Sequence, residues 1–396
     1  MSCKVSRTVQ YPLVHWRRSN IRATLRPRLA CLPLAAMSAK TSSPILSVVR
    51  LPSQGPWPTD DPFLFAVHHD DNFPAGNAEL GPNESLRGRS IGSDFGNKDG
   101  WNMYHGEVVP GFPKHPHRGF ETVTIARSGF VDHSDSLGAA GRFGEGDVQW
   151  MTAGKGISHS EMFPLLNQKG RNRIELFQIW MNLPARNKMV EPFFTMLWAD
   201  QIPRLNLDDG GVSVAVVSGS VGGTSPELPP ACPPNSWAAQ PGSHVGIVTI
   251  KLDPGKSWTL PACPGGAGVG LRRSLYFFTG SRASIGDQSV GARVKVEADP
   301  GADLLLTNTG NEAAEFLVLE GKPIGEPVVQ HGPFVMNSRD QIMQVSAAQA
   351  RGESIVHGVC VCARVRVLFF ARAVSQIQQS RTRTPRRCCI GLTAKN

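Results

Sequence analysis

The chain has 396 residues, with 41 Gly, 31 Pro and 18% charged side chains. That length holds two domains of ordinary size, and the turn-rich composition disfavours a helical bundle. The net charge of +9 belongs to the ends: residues 1–50 carry nine Lys/Arg and no acid, residues 351–396 carry nine Lys/Arg and one Glu, and residues 51–350 hold 23 basic and 31 acidic residues. An acidic middle excludes a basic groove there, so no direct nucleic-acid partner is expected.

No stretch approaches the roughly 18 apolar residues of a membrane span, so no membrane partner is expected either. Of eight cysteines only Cys232 and Cys263 fall in the middle, and none form a C-x-x-C pair. That is neither a disulfide framework nor a thiolate zinc site.

In chain order, residues 1–43 are Arg-rich, Ser-containing and acid-free, which reads as a leader for import into a plastid or mitochondrion. The bland alternative is a disordered extension of a cytoplasmic protein. Residues 62–113 mix short apolar runs with turn residues; His68, His69 and His105 in this stretch read as structural histidines. From 115 to 218 the strand pattern is regular: FETVTIARSGFVDHSDSL, GEGDVQWMTAGKGISHSEMF, RIELFQIWMNL and GVSVAVVSGSVGG are short runs separated by glycine turns. Residues 44–218 are assigned to a first barrel, and the Gly/Pro/Ser-rich residues 219–243 to a linker.

Residues 244–350 repeat the strand texture in HVGIVTIKL, SLYFFTGSRASIG, ADLLLTNTG and AEFLVLEGKPIG, and end in a short helix capped by Asn337 or Ser338 with Asp340 in its first turn. Residues 244–325 of this second barrel hold one histidine, His244, and no H-x-H motif. Residues 351–396 form a basic tail, read as disordered, with no core to complete.

The chemistry sits in KHPHRGFET and GKGISHSEMF. A strand points residues i and i+2 to one face, so His115 and His117 form one converging pair and His159 and Glu161 another. Three imidazoles and a carboxylate leave coordination positions open, a donor set suited to Fe(II) and able to hold Mn, Co, Ni, Cu or Zn. Glu121, four residues after His117, is an alternative carboxylate by strand alternation. Gln149 and Trp150 precede the second pair and are candidates for the pocket wall, with a packed core tryptophan as the plainer reading.

The strings HPHRGFET, DHSDSLG, GDVQWMTAGKGISHSEMFP, FQIWMNLPA and GPFVMN, in this order between about Asp61 and Gln344, resemble the pirin family of the cupin superfamily. The resemblance implies an all-β fold of two tandem cupin (jelly-roll-like) β-barrels with a short C-terminal helix, the metal in the first and a degenerate second. It implies His115, His117, His159 and Glu161 as metal ligands, and it ranks Glu161 above Glu121.

Some family members resemble quercetin 2,3-dioxygenases. On that model a mononuclear metal presents a flavonol or enediol to O₂, with Glu161 as catalytic base. Others resemble non-enzymatic regulators whose metal state tunes a contact with a transcription factor or other protein partner. The leader and the tail lie outside the resemblance.

Overall fold

The structure is a computed structural model that describes residues 43–350 other than Gln54, 222–228, 264, 265, 267 and 269. The predicted leader, but for Ser43, and the predicted tail lie outside the described residues. So does part of the predicted linker.

Two all-β units follow one another, each a large antiparallel sheet facing a small one. The first unit's six-stranded sheet runs, in spatial order, Phe193–Leu197, Val148–Thr152, Phe120–Ser128, Asn172–Asn182, Phe63–Phe73 and Trp57–Pro58. Its four-stranded partner runs Gly111–His117, Ile157–Met162, Phe130–Asp135 and Ala140–Gly144. The second unit's seven-stranded sheet runs Ile45–Arg50, Val294–Ala298, Arg272–Thr279, Ala314–Gly321, Gly246–Leu252, Val212–Ser218 and Arg204–Leu207, opposite a four-stranded sheet built on Ser257–Leu260, Leu304–Asn308, Arg282–Ile285 and Gln288–Gly291.

The strand alternation explains why the two large sheets pack on each other. In Phe120–Ser128, Val123 and Ile125 enter the core between the units, while Thr122, Thr124 and Ala126 face the interior of the first unit. In Asn172–Asn182, Phe177, Ile179 and Met181 face the second unit, and Leu176, Gln178 and Trp180 face inward. Ala314–Gly321 does the same from the other side, sending Leu317 and Leu319 to the shared core and Phe316 and Val318 into the second unit. Strands buried on both faces read as near-continuous apolar runs, which is why these segments stand out in the sequence. Trp57 anchors the shared core, stacked on Tyr276 with ring centroids 5.8 Å apart and an interplanar angle of 11°. Each large apolar side chain fully buried there contributes roughly 1.5–3 kcal/mol.

The expected barrel boundary at 218 differs from the sheets. Ile45–Arg50 pairs with Val294–Ala298, and Val212–Ser218 pairs with Gly246–Leu252, so both belong to the second unit together with Arg204–Leu207. The physical reason is that these strands hydrogen-bond only within the second unit's sheet and meet the first unit only across the shared core, where Ala215 and Val217 lie. Val212, Val214 and Val216 are apolar on the face that completes the second unit's interior, and hydrogen-bonded pairing across residues 219–243 joins them to it. That interior is filled throughout by Val, Ile, Leu, Phe and Ala.

A final hairpin, Val329–His331 with Phe334–Met336, leads to the helix Arg339–Ala350. Ser338 is its cap: the Ser338 Oγ accepts from the Gln341 amide at 3.3 Å, and the Gln341 side chain accepts from the Ser338 and Asn337 amides at 3.1 and 2.9 Å, a reciprocal capping box. The hairpin docks on the turn at Arg118–Gly119. The Arg118 amide donates to the Pro333 carbonyl at 3.2 Å, and the Val335 amide donates to the Arg118 carbonyl at 3.0 Å.

Gly119 joins strand Gly111–His117 of the small sheet to strand Phe120–Ser128 of the large one. Its φ is +83°, and a Cβ there would lie 2.0 Å from the Val335 carbonyl oxygen. A Gly119→Ala variant is therefore expected to lose at least about 2 kcal/mol of stability, read as a lower urea midpoint at unchanged slope. A midpoint equal to the parent's would show that the turn tolerates a side chain.

Candidate metal centre

Strand Ile157–Met162 is the middle of the site. Its burial alternates, with Ile157, His159 and Glu161 buried and the residues between them half-exposed. On one side it pairs with Gly111–His117, setting His115 opposite His159 and Phe112 opposite Glu161. On the other side it pairs with Phe130–Asp135, setting His133 opposite Glu161 and Asp135 opposite His159. Three residues separate Phe112 from His115 where their partners are two apart, so a bulge lies just before the first histidine. Bulges re-aim the side chains beside them.

The three histidines predicted as ligands come together. One donor atom of each of His115, His117 and His159 lies within 4.8 Å of the others, and the ring centroids are 4.5–4.9 Å apart. His115 Nδ1 meets the Pro113 carbonyl at 2.8 Å, which makes Nδ1 the protonated nitrogen and leaves Nε2 its lone pair. That Nε2 is 3.1 Å from His117 Nε2. His159 is 1% exposed, and neither of its ring nitrogens has a hydrogen-bond partner among the described residues.

Burial, and then the neighbouring imidazoles, push His117 and His159 well below the usual histidine pKa. Near neutral pH these rings are uncharged, with lone pairs free for a cation. Two nitrogens 3.1 Å apart suit one ion about 2.1 Å from each, and a buried imidazole with no partner is the atom an ion would satisfy. The residues fit a divalent metal.

Glu161 lies at the edge of this cluster. Its Oε2 is 3.8 Å from His159 Nε2 and accepts from Gln178 Nε2 at 2.8 Å, while Oε1 accepts from Thr124 Oγ1 at 3.3 Å. Gln178, Thr124 and Gln149 form one row across three neighbouring strands. Gln149 is 2% exposed and its side-chain oxygen has no partner among the described residues, so the interior reading holds for Gln149. Trp150, one residue on, turns the other way into the core between the units, as the plainer reading had it. Trp180 closes the other side of the cluster, 5.2 Å from His117 and stacked on Phe120 at 4.0 Å.

Glu121 is not at the site. The turn at Gly119 resets the alternation, and Glu121 shares the face of Val123 and Ile125. There it accepts from Thr152 Oγ1 at 2.6 Å and from Ser236 Oγ at 2.7 Å. The histidines read as structural behave so in two cases: His68 stacks on Phe177 at 4.6 Å and meets Glu175 at 3.2 Å, and His105 Nδ1 meets the Gly92 carbonyl at 2.7 Å.

His133 escaped the sequence reading. Its ring is 5.4 Å from that of His159, and its Nε2 meets Asp135 Oδ2 at 3.1 Å. The signal was present as a third H-x-acid pair, His133 and Asp135, on a predicted strand. Thr124 and Gln178 carried no signal, since a polar residue in an apolar strand has no chemistry until its neighbours are known.

Burial raises Glu121 to about 7, with the Thr152 and Ser236 hydroxyls pulling the other way. The folded state thus holds the proton more tightly than the unfolded chain, whose value is near 4.5. Stability from this group is full below about pH 4.5 and falls as pH rises towards 7, by a total of order 3 kcal/mol. Glu121→Gln is expected to gain stability relative to the parent between pH 5 and pH 8, by about 2 kcal/mol in urea titrations. Parallel profiles for the two proteins would refute the assignment.

Comparison with known proteins agrees with this architecture. The family model "Pirin" matches residues 57–181 and the model "Pirin C-terminal cupin domain" matches residues 247–353. A protein of Arabidopsis thaliana, provisionally named pirin-like, is 40% identical over 237 residues, covering 59% of this chain and 78% of that one. Human pirin is 35% identical over 254 residues, covering 62% of this chain and 78% of its own. The crystal structure of a quercetin 2,3-dioxygenase from Acinetobacter baumannii superposes with a TM-score of 0.59 at 26% identity, over 78% of this chain and 97% of that one. With both cupin domains matched in order and relatives aligned over more than three quarters of their length, the chain belongs to the pirin family.

Proposed function

We propose that the first unit is the active site of a quercetinase-like dioxygenase that binds a mononuclear metal, Fe(II) by preference, through His115, His117, His159 and Glu161. Its substrate class would be a flavonol or enediol, oxidised by O₂. The observation that carries the reading is the convergence of three imidazoles, one of which, His159, is buried without a hydrogen-bond partner among the described residues. The likeness to a solved quercetin 2,3-dioxygenase supports the substrate class.

A divalent metal, when bound, supplies a Lewis acid that holds a hydroxyl–ketone pair and lowers the hydroxyl's pKa. The chain's own part is positioning and proton handling. Glu161 Oε2 is the base that takes the substrate hydroxyl's proton. Gln178 and Thr124 hold that carboxylate by one oxygen each. His115 is kept in its donor tautomer by the Pro113 carbonyl. Trp180 and Phe120, stacked beside His117, keep water from that flank.

His159→Ala is expected to reduce bound iron to under a tenth of the parent's stoichiometry by elemental analysis, and to abolish O₂ uptake with quercetin. Glu161→Gln keeps three imidazoles, so it should retain iron and lose at least about 100-fold in turnover. A fully iron-loaded parent protein that consumes no O₂ with any of a panel of flavonols and enediols would overturn the enzymatic reading in favour of a protein-partner role.

For location, we propose organelle import directed by residues 1–43, on the strength of their Arg-rich, acid-free composition. A fluorescent fusion of residues 1–50 should enter a plastid or mitochondrion, and cytosolic fluorescence alone would reject the leader.

A further inference from the structure

A second polar cluster lies inside the first unit, away from the ligand histidines. Along Phe63–Phe73 the residues Val67, His69 and Asp71 share the inward face, and His69 stands opposite Leu176 of the interior core. Asp71 is 1% exposed. Its two oxygens each accept one hydrogen bond, from Asn102 Nδ2 at 2.9 Å and from the Tyr104 hydroxyl at 2.6 Å. The same hydroxyl oxygen lies 2.7 Å from His69 Nδ1.

The direction of this chain follows from valence. Tyr104 gives its only hydroxyl hydrogen to Asp71, so towards His69 its oxygen can only accept. His69 Nδ1 therefore carries the hydrogen, and the neutral ring has its lone pair on Nε2. That nitrogen makes no hydrogen bond among the described residues and is not among the fully buried atoms. Val67, His69, Gln178 and Phe112 are all only half-buried although they face inward. Accessible space inside the unit therefore reaches His69. Phe112 spans the gap to the metal centre, its ring 5.8 Å from His69 and 6.4 Å from His115.

The arrangement is held against a local penalty. Tyr104 is a non-glycine residue at φ +57°, a conformation that costs roughly 1–3 kcal/mol and persists only where the surroundings impose it. Asp94 imposes it: its backbone exchanges hydrogen bonds with Tyr104 at 2.8 and 3.0 Å, and its carboxylate accepts from the Met103 amide at 2.9 Å. Arg89 in turn fixes Asp94 at 3.1 Å and lies over the Trp101 ring, 3.2 Å from its centre.

We propose that His69 Nε2 accepts a hydrogen bond from a ring hydroxyl of a flat aromatic ligand, at the end remote from the histidine cluster, and that Tyr104 and Asp71 form the relay that can take up its proton. The inference rests on the first unit being the site of a hydroxylated aromatic ligand. In the relay the ligand O–H gives its proton to Nε2, Nδ1–H gives its proton to the Tyr104 oxygen, and the Tyr104 hydroxyl gives its proton to Asp71 Oδ2. The ligand becomes an oxyanion and Asp71 a neutral acid, with histidine and tyrosine unchanged in charge. Burial raises Asp71 to about 6, which makes it a better proton acceptor than an ordinary aspartate.

The test uses the full chain loaded with iron under anaerobic conditions, with two probes: quercetin, and 3-hydroxyflavone, which keeps the hydroxyl–ketone pair and lacks the ring hydroxyls. The parent should bind quercetin more tightly. His69→Leu should weaken quercetin about tenfold, leave 3-hydroxyflavone and bound iron unchanged, and be rescued to within about threefold by His69→Gln, whose amide oxygen can accept. Tyr104→Phe keeps the ring and breaks the relay, so the red-shifted absorption of the deprotonated quercetin ring should be lost with iron content intact.

If the parent binds neither probe, the dioxygenase reading fails and this one with it. If it binds both, and His69→Leu weakens them equally or Tyr104→Phe leaves the quercetin spectrum unchanged, the relay alone is overturned.

Discussion

The alternation of side chains along a strand brings the histidine cluster together, and its interruption at Arg118–Gly119 turns Glu121 away from it. Ile157, His159 and Glu161 share a face because they are two residues apart, and pairing on both sides carries that face onto His115 and His133. Had the strand from Gly111 run unbroken through residue 121, Glu121 would have joined the histidines. The positive φ at Gly119 turns the chain into the opposite sheet and sends Glu121 outward. The final hairpin is bonded to this turn by backbone hydrogen bonds. Lys188, itself buried, donates to the Gly119 carbonyl at 2.9 Å and to Asn182 Oδ1 at 2.6 Å. The turn is thus fixed by two distant parts of the chain, which the spacing of the motif alone does not reveal.

Much of the fold was legible because its central strands are apolar on both faces. RIELFQIWMNL, HVGIVTIKL and AEFLVLEGKPIG stand out as short unbroken runs, and each is a strand of a large sheet. The same property hid the sheet order. A strand with two apolar faces carries no mark of its partner, and so GVSVAVVSGSVGG was credited to the unit it follows in sequence. The clustered histidines His115, His117 and His159 were legible through H-x-H and H-x-E. His69 was not, because its neighbour His68 blurs the alternation, with one ring facing the shared core and the next facing the interior.

The two units divide the work by what fills them. The second unit has an apolar interior and offers the first a broad apolar face through Tyr276, Phe278, Leu317 and Leu319. The first unit spends much of its own interior on Thr122, Thr124, Gln149, Glu161 and the histidines, groups that stabilise little by burial and are costly when unpaired. Its own apolar cluster, around Phe73, Trp101 and Leu176, is supplemented by burial on the second face of its large sheet. The shared core supplies that face, so the second unit keeps its role in a two-unit chain although no imidazole belongs to its apolar interior among the described residues.

Two buried glutamates on the two faces of that sheet show how environment assigns roles. Glu121 meets two hydroxyls among Val123, Ile125 and Trp150. No positive group among the described residues offsets its desolvation, and the acid form is favoured. Glu161 meets instead an amide donor and a hydroxyl donor, beside imidazole nitrogens whose own protonation is suppressed by burial. A cation among those imidazoles would be stabilised by the adjacent carboxylate and would stabilise it in return. On the proposed ligand set, removing Glu161 would leave the three imidazoles, whereas removing His159 would take away the one that faces both of the others, and the two losses are therefore different in kind.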